Sequence, residues 1–521
     1  MKNTRTSRRR FGAVAVALSL AAVGYGGAIA TASPAGTPKS AGAPTETLTV
    51  VINNVPQSLD PAKNGGGPQR MVQWFAYEPL IRSNPDGSYA PGLAESWEYV
   101  GEGNEVFEVT LRSDATFADG TPVTTTEVVD SLEYFIATPS PVHSLIETVE
   151  SVEAPDDQTV RVTFSTPNPD AARLLSQEAY GNVISSAGLA APDDLGTATF
   201  GAGPYVLDPD DTVSGDHYSL VPNDTYWNPD VQHWAKVVVR VITDPTTAFN
   251  AVQTEQANVS TGTIPAQLAE AESAGLDILR GGQIAIVTWI MDRLGESQPA
   301  LGDVRVREAL NLAVDRESIA AALGDAYTPL SQFAPVGNPL FVDDRPAIEY
   351  DPERAQELLA EAGYEDGFEL ALVTNTDNRD ADVSQILVEQ WRAIGVDVSL
   401  QTFDNQPSEM FGGISDMQFN AVTFALNAQV AAFEALLTRE SVFNPWGASD
   451  PAVEEAFQAW AVSPPEEVDA AAEAVGASIN DLYWFVPVAS VELFLVSQGV
   501  ADLGTMSSEG QFDVLSWTPE A

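Results

Sequence analysis

The chain has 521 residues, 44% hydrophobic and 19% charged, with no cysteine and a formal net charge of −50. At roughly 100 to 200 residues per domain this length suggests two or three domains with ample core, and the composition excludes a disordered or collagen-like chain. The missing cysteine excludes disulfides, thiolate metal sites and cysteine nucleophiles, while the acidic field excludes nucleic acid and anionic lipid as partners of the folded body.

Five of the 24 basic residues, Lys2, Arg5, Arg8, Arg9 and Arg10, lie within the first 32 positions, which hold no acid, so the remainder sets 19 basic against 74 acidic side chains. Those positions read as a basic start, an apolar stretch from Phe11 to Val23 and a small-residue end at Ala28-Ile29-Ala30 or Ala30-Thr31-Ala32, the layout of an export signal. Ser7-Arg8-Arg9-Arg10-Phe11 also resembles a twin-arginine signal, the address of a protein exported already folded. Gly24, Gly26 and Gly27 dilute the apolar stretch and weigh against an uncleaved anchor. Residues 33–46 are small, Pro-containing and aperiodic, and read as a flexible tether.

The body begins with a β-rich run, Leu48 to Ile52, which Asn53, Asn54 and Pro56 should end in a loop. Val106 to Leu111 and Val160 to Phe164 alternate as half-buried strands. Helical spacing takes over after Asp303, where Val306, Ala309, Leu310 and Ala313 share one face. Asp351-Pro352 supplies an N-cap with Pro in the first helical position, Ala355, Leu358, Leu359 and Ala362 make an apolar face, and Gly363 sits where a terminating glycine belongs. A further face, Val383, Ile386, Leu387, Trp391 and Ile394, stops at Gly395, after which Val396, Val398 and Leu400 alternate as a strand. Helix followed by strand implies an α/β layer.

Catalytic and metal-binding patterns are missing. His143, His217 and His233 are the only histidines and none has ligand spacing. No G-x-S-x-G, G-x-x-x-x-G-K-[ST] or G-x-G-x-x-G occurs, and Gly65-Gly66-Gly67-Pro68 reads as a loop rather than a phosphate cradle. With 74 acids some carboxylates meet by chance, so a paired-acid hydrolase stays open without any pair being singled out.

Leu59-Asp60-Pro61, Tyr77-Glu78-Pro79-Leu80, Pro85-Asp86-Gly87 and the run Pro91 to Glu98 (PGLAESWE) resemble the family 5 extracellular solute-binding proteins, which include the oligopeptide, dipeptide and nickel binding proteins of ABC importers. Leu111-Arg112, Phe117 to Val123, Gly203-Pro204-Tyr205, Asn223 to Trp227, Asp303 to Leu310 with Asp315-Arg316, and Tyr350-Asp351-Pro352 keep that family's order across nearly the whole body. Most of these residues have local structural explanations. Pro85-Asp86-Gly87 and Asp119-Gly120 are turn chemistry, and Trp97 reads as a core aromatic.

The resemblance implies an α/β, two-lobed type II periplasmic-binding-protein fold with an extra domain inserted in the first lobe. Lobe one would comprise residues 47–83, 200–283 and 487–521, the insertion 84–199, and the second lobe 284–486. It further implies a monomer without cofactor or catalysis that closes on a solute between its lobes and serves ABC transporter permease subunits. Peptide is the class expectation, with oligosaccharide, opine or metal chelate as alternatives and a secreted hydrolase as the reading from another class. Relatives in single-membrane bacteria are commonly lipoproteins through an N-terminal Cys, a route closed here, so a periplasmic, extracellular or cell-surface location without that lipid is expected.

Oligopeptide binders of the family set an Asp of the second lobe against the ligand's α-ammonium. In the corresponding stretch, residues 419–437, that position holds Gln429, and the family's nearby Arg and Trp fall at Thr423 and Leu426. A neutral amide accepts a hydrogen bond but forms no ion pair. Arg379, in the loop expected after a strand at Leu370 to Val373, is the candidate for a ligand carboxylate, the alternative being a solvated Arg beside Asp377 or Asp380. Val55, Pro56, Trp289, Phe424, Leu426 and Asn427 are the other cleft candidates by position, Trp289 suiting a core equally well.

Overall fold

The computed structural model describes residues 46–63, 67–139, 146–262, 264–375, 378–403, 419–426, 430, 433–434, 437 and 444–520. The expected export signal and, Glu46 apart, the tether lie outside them, as does His143. Strand β1 (Thr47–Ile52) is followed by a hairpin of β2 (Ile81–Ser83) with β3 (Tyr89–Pro91). An antiparallel sheet then forms from β4 (Ala94–Tyr99), β5 (Val106–Leu111), β6 (Val149–Glu153) and β7 (Thr159–Phe164), in the order β4-β5-β7-β6. The chain returns to β1 through β8 (Tyr205–Leu207), β9 (His217–Pro222) and β10 (Lys236–Val241). β10 pairs parallel to β1 on one edge and β11 (Val259–Ser260) on the other.

After these come β12 (Asp277–Ile290), β13 (Tyr327–Pro329), β14 (Phe368–Asn375), β15 (Val396–Phe403), β16 (Ala421–Leu426), β17 (Phe485–Ser497) and a last pair, β18 (Val500–Asp502) with β19 (Thr518–Pro519). One mixed sheet of the described residues runs β15-β14-β16-β12-β17-β11-β1-β10-β9-β8, with β13 also on β17.

Alternation sorts the strand residues between cores. On β12, Ala285, Val287 and Trp289 join Phe333, Phe433, Trp460 and Phe485, whereas Ile286 and Ile290 join Leu310, Leu372, Leu387 and Trp391 on the opposite face. A strand covered on both sides needs an apolar residue at nearly every position, which is why Ile284 to Ile290 reads IAIVTWI without polar alternation. On β1, Leu48, Val50 and Ile52 meet Phe75, Tyr205, Trp234 and Trp517, in a core continuous with Phe107 and Val160 of the four-stranded sheet. Val51 faces the other way, toward Phe249, Val252 and Val496. Each fully buried side chain of this size contributes about 1.5–3 kcal/mol through water release.

Helix ends follow the residues marked in the sequence. Asp351 accepts the Arg354 amide at 2.8 Å over the helix Pro352–Glu361, and Gly363 takes the left-handed φ of 89° just beyond it. Asp244, Asp303, Asp315 and Asp450 accept amides in the same way at the starts of Pro245–Gln253, Val304–Leu312, Arg316–Leu323 and Pro451–Ala461. Part of the acidic excess is thus placed at positive helix ends. The helix Asn378–Ala393 connects parallel β14 and β15, which stay in register from Phe368↔Val396 to Asn375↔Phe403. No helix of the described residues is long and apolar enough to cross a membrane.

β12 and β17 pair from Asp277↔Ser497 to Trp289↔Phe485, with register shifts between Arg280 and Gln283 and between Ile286 and Val287. The first shift is built on Gly281 and Gly282. A Cβ on Gly281 would lie 2.4 Å from the Met506 carbonyl oxygen, and one on Gly282 2.6 Å from the Gly510 Cα. The Gln283 amide donates to the Ser508 carbonyl at 2.8 Å, fastening the segment after β18 to this irregularity.

Candidate functional site

A cleft of about 850 Å³ opens between the four-stranded sheet with its neighbouring loops and the helices Pro451–Ala461 and Val468–Asn480. Tyr89, Trp97, Tyr99 and Phe107 line it from the sheet side, Pro339, Val430, Trp460 and Ala472 from the helical side, and Ser507, Ser508, Glu509 and Gln511 from the segment fastened to β12. Its size falls in the range of about 300–1,000 Å³ common to small-molecule sites. A second, much smaller cavity of about 50 Å³ lies beside Arg82 and Phe512.

The cleft is strongly acidic. Asp86, Glu98, Asp170, Glu178, Asp469 and Glu509 line it, against Arg173 as the basic residue of the described lining. Arg173 is already engaged: its Nη2 lies 2.9 Å from Glu178 Oε2 and also donates to Glu509. Asp170 and Asp469 carry no such pairing among the described residues. Asp170 starts a short helical turn, Ala171–Leu174, while Asp469 is in the first turn of Val468–Asn480, so the two carboxylates come from opposite sides of the cleft. Burial pushes the Asp170 carboxyl upward from its usual value; Arg173 opposes the shift, and Glu178, Glu509 and Asp469 add to it. A cation placed among these groups would relieve both effects. Among the described residues no group of three His, Asp or Glu side chains could hold a metal ion.

The residues singled out in the sequence are dispersed. Trp289 is fully buried, its ring stacked with Phe424 (6.1 Å, 14°) and Phe433 (5.8 Å, 14°) and tilted against Phe485 (4.8 Å), so of its two readings the structure gives the core. Phe424 is half-buried and packs on that core. Val55 is 47% exposed and Pro56 buried, in the loop after β1, and neither lines the 850 Å³ cleft. Leu426 ends β16 opposite Ala285. Asn427 and Gln429 lie outside the described residues, as does the side chain of Arg379.

Arg379 requires a correction of place. β14 runs on to Asn375 and the helix has begun by Asn378, so Arg379 stands in a first helical turn and not in a loop. One proposed neighbour is occupied: Asp380 Oδ2 accepts the Asn375 side-chain amide at 2.8 Å and the Ala425 backbone amide at 3.2 Å, tying β14 and β16 to the helix. Trp97 packs on the core as expected, but it is only half-buried and also lines the cleft.

Sequence reasoning missed Tyr89, Tyr99, Asp170, Trp460, Asp469 and Glu509 as lining residues. The local signals were Pro85-Asp86-Gly87, whose three residues line the cleft, and PGLAESWE, which carries Trp97 and Glu98; the rest are brought together only by the fold.

The family model for "Bacterial extracellular solute-binding proteins, family 5 Middle" matches residues 88–441, a span that contains the sheet side of this cleft. The chain belongs to that family. The periplasmic oligopeptide-binding protein OppA of Escherichia coli is 30% identical over 396 residues, covering 68% of this chain and 70% of OppA. The nickel-binding periplasmic protein of E. coli is 25% identical over 391 residues, with coverage of 68% and 70%.

Among solved structures, the periplasmic binding protein DppA of Helicobacter pylori in complex with the peptide STSA superposes with a TM-score of 0.74 at 19% identity, covering 91% of this chain and 98% of its own. HbpA2 of Haemophilus parasuis superposes at 0.77 with 20% identity, covering 91% and 100%. This solute-binding protein therefore has the two-lobed α/β fold of its family, and family members are binding proteins rather than enzymes.

Proposed function

We propose that this family 5 protein is the extracytoplasmic substrate-binding component of an ABC importer. In this reading it captures peptides bearing amino or guanidinium groups and passes them unchanged to permease subunits. The observation that carries the reading is the acidic 850 Å³ cleft, whose lining comes from elements packed in separate cores. The peptide class draws on the names of the relatives: OppA is an oligopeptide binder, and the H. pylori neighbour holds a peptide. The preference for cationic groups draws on Asp170 and Asp469 facing a cleft whose Arg173 is already paired.

The lobes would be residues 47–83, 200–283 and 487–521 with the insertion 84–199, against residues 284–486, and β12 and β17 would form the hinge. A ligand that touches both sides only when the cleft is shut shifts the population toward closure by its differential binding energy. An extended peptide can satisfy its main chain by strand-like hydrogen bonds while its side chains occupy roomy pockets, which supports tolerance of sequence. The like charges that face each other across the cleft make a cationic ligand a bridge rather than a passive guest.

The test is calorimetric titration of the chain from Ser33 onward with short peptides that are cationic, neutral or acidic, with recovery of the ligand by mass spectrometry. Expected are one-to-one saturation, tightest for the cationic set, and an unaltered ligand. Saturation by none of the peptides would overturn the peptide reading, and steady turnover would overturn transport.

A further inference from the structure

One buried charge lies outside the lining of the cleft. Arg293 follows the end of β12 and is 4% exposed, yet none of its three guanidinium nitrogens has a hydrogen-bond partner among the described residues. Its guanidinium carbon sits 4.7 Å over the ring of Trp484, which is itself buried. The neighbouring carboxylate is spent elsewhere: Asp292 accepts the backbone amides of Glu296, Ser297 and Gln298 at 2.8, 2.9 and 2.6 Å.

Among the described residues, the charge that acts on Arg293 has the same sign. Arg307 is 5% exposed and donates to the carbonyls of Leu482 (2.9 Å) and Leu301 (2.7 Å), which neutralise no charge. Burial, with Arg307 adding to it, pushes the Arg293 guanidinium down to about 9, so it still carries its proton at neutral pH. A buried cation held against an aromatic face and near a second cation is strongly disfavoured unless an anion compensates it. A water molecule could accept its hydrogen bonds but would leave the charge uncompensated.

We propose that Arg293, with Arg307 reinforcing the local field, is a binding site for a small inorganic anion of the size of chloride, separate from the solute cleft. The guanidinium supplies planar N–H donors, Trp484 closes one of its faces, and the near-complete burial excludes larger carboxylates or phosphates. The acidic exterior repels anions at low salt, so occupancy should rise as salt screens that field. The site would therefore couple the stability of this lobe to halide concentration.

The experiment compares thermal midpoints of the wild-type chain and Arg293→Met as chloride replaces gluconate at constant ionic strength, which separates binding from screening. Expected is a saturable rise of a few degrees in chloride or bromide for the wild type and none for the variant. In gluconate the variant should melt above the wild type, because an unpaired buried charge has been replaced by an apolar chain; chloride should narrow or reverse that order. Equal chloride dependence in both proteins overturns the site. Should the variant not fold, bromide-soaked wild-type crystals decide the matter: anomalous density beside the Arg293 guanidinium supports the proposal, and its absence refutes it.

Discussion

Asn104, in the turn between β4 and β5, donates its side-chain amide to the carbonyls of Ser463 at 2.7 Å and Ala461 at 3.1 Å, at the C-terminal end of the helix Pro451–Ala461. The Ala461 carbonyl ends the helix without a helical partner and the Ser463 carbonyl lies just beyond it, so an external donor is well matched to them. Asn104 reaches them from a left-handed backbone, φ 56°, and is 7% exposed. The contact joins the four-stranded sheet to the helical side of the cleft without any solute.

Asn104→Gly keeps the left-handed turn while deleting both bonds. At about 0.5–1.5 kcal/mol for each, cleft closure should weaken by about 1–3 kcal/mol, which is a loss of about 5- to 150-fold in peptide affinity by calorimetry. An unchanged affinity would mean that this contact does not contribute to closure.

Asp170→Asn should separate stability from function. The Asp170 carboxyl is raised in the folded state, so its ionised form is disfavoured there. The penalty is absent below the unfolded pKa of about 3.9, grows as pH rises through the raised folded value, and is complete above it. The variant should therefore melt higher than wild type at pH 7, with the difference fading toward pH 3. It should also bind a lysine-containing peptide about tenfold more weakly, with little change for a neutral one. Melting curves that coincide at all pH values would remove the electrostatic argument.

Trp289→Ala tests the placement of that indole in the core. Truncating a fully buried Trp costs about 3–5 kcal/mol, read as a lower midpoint in urea. A small loss of stability accompanied by a large loss of affinity would instead return Trp289 to the ligand site.

Gly281→Ala puts a methyl 2.4 Å from the Met506 carbonyl oxygen, too close for either chain to stay in place. The segment carrying Ser508 and Glu509 should lift from β12, and the Gln283 amide, which donates to Ser508, should exchange with solvent markedly faster. Exchange at the wild-type rate would show that the register shift tolerates a side chain.

Local physics was legible from residue order alone. Asp351-Pro352 and Gly363 bracket a helix because capping depends on neighbours three or four positions away, and Gly395 separates helix from strand by its φ of 96°. The cleft was not legible in that way, since Asp170, Asp469 and Glu509 meet only through the pairing of distant strands. Trp97 shows the limit most clearly. Its indole packs on the core as its place in the sequence suggests, but the cleft beside it is bounded by helices more than 350 residues further on.

β17 also bears on how the molecule is made. Phe485 belongs to one core, Val486 and Val488 to a second, Leu495 to a third and Val496 to a fourth, and the strand pairs with β11, β12 and β13. None of these cores is complete until residues 485–497 have been synthesised, so a nascent chain that stops short of them presents open sheet edges rather than a finished lobe. Long-range pairing of this kind is slow to form. The arrival of β17 is therefore the event that lets all four cores close.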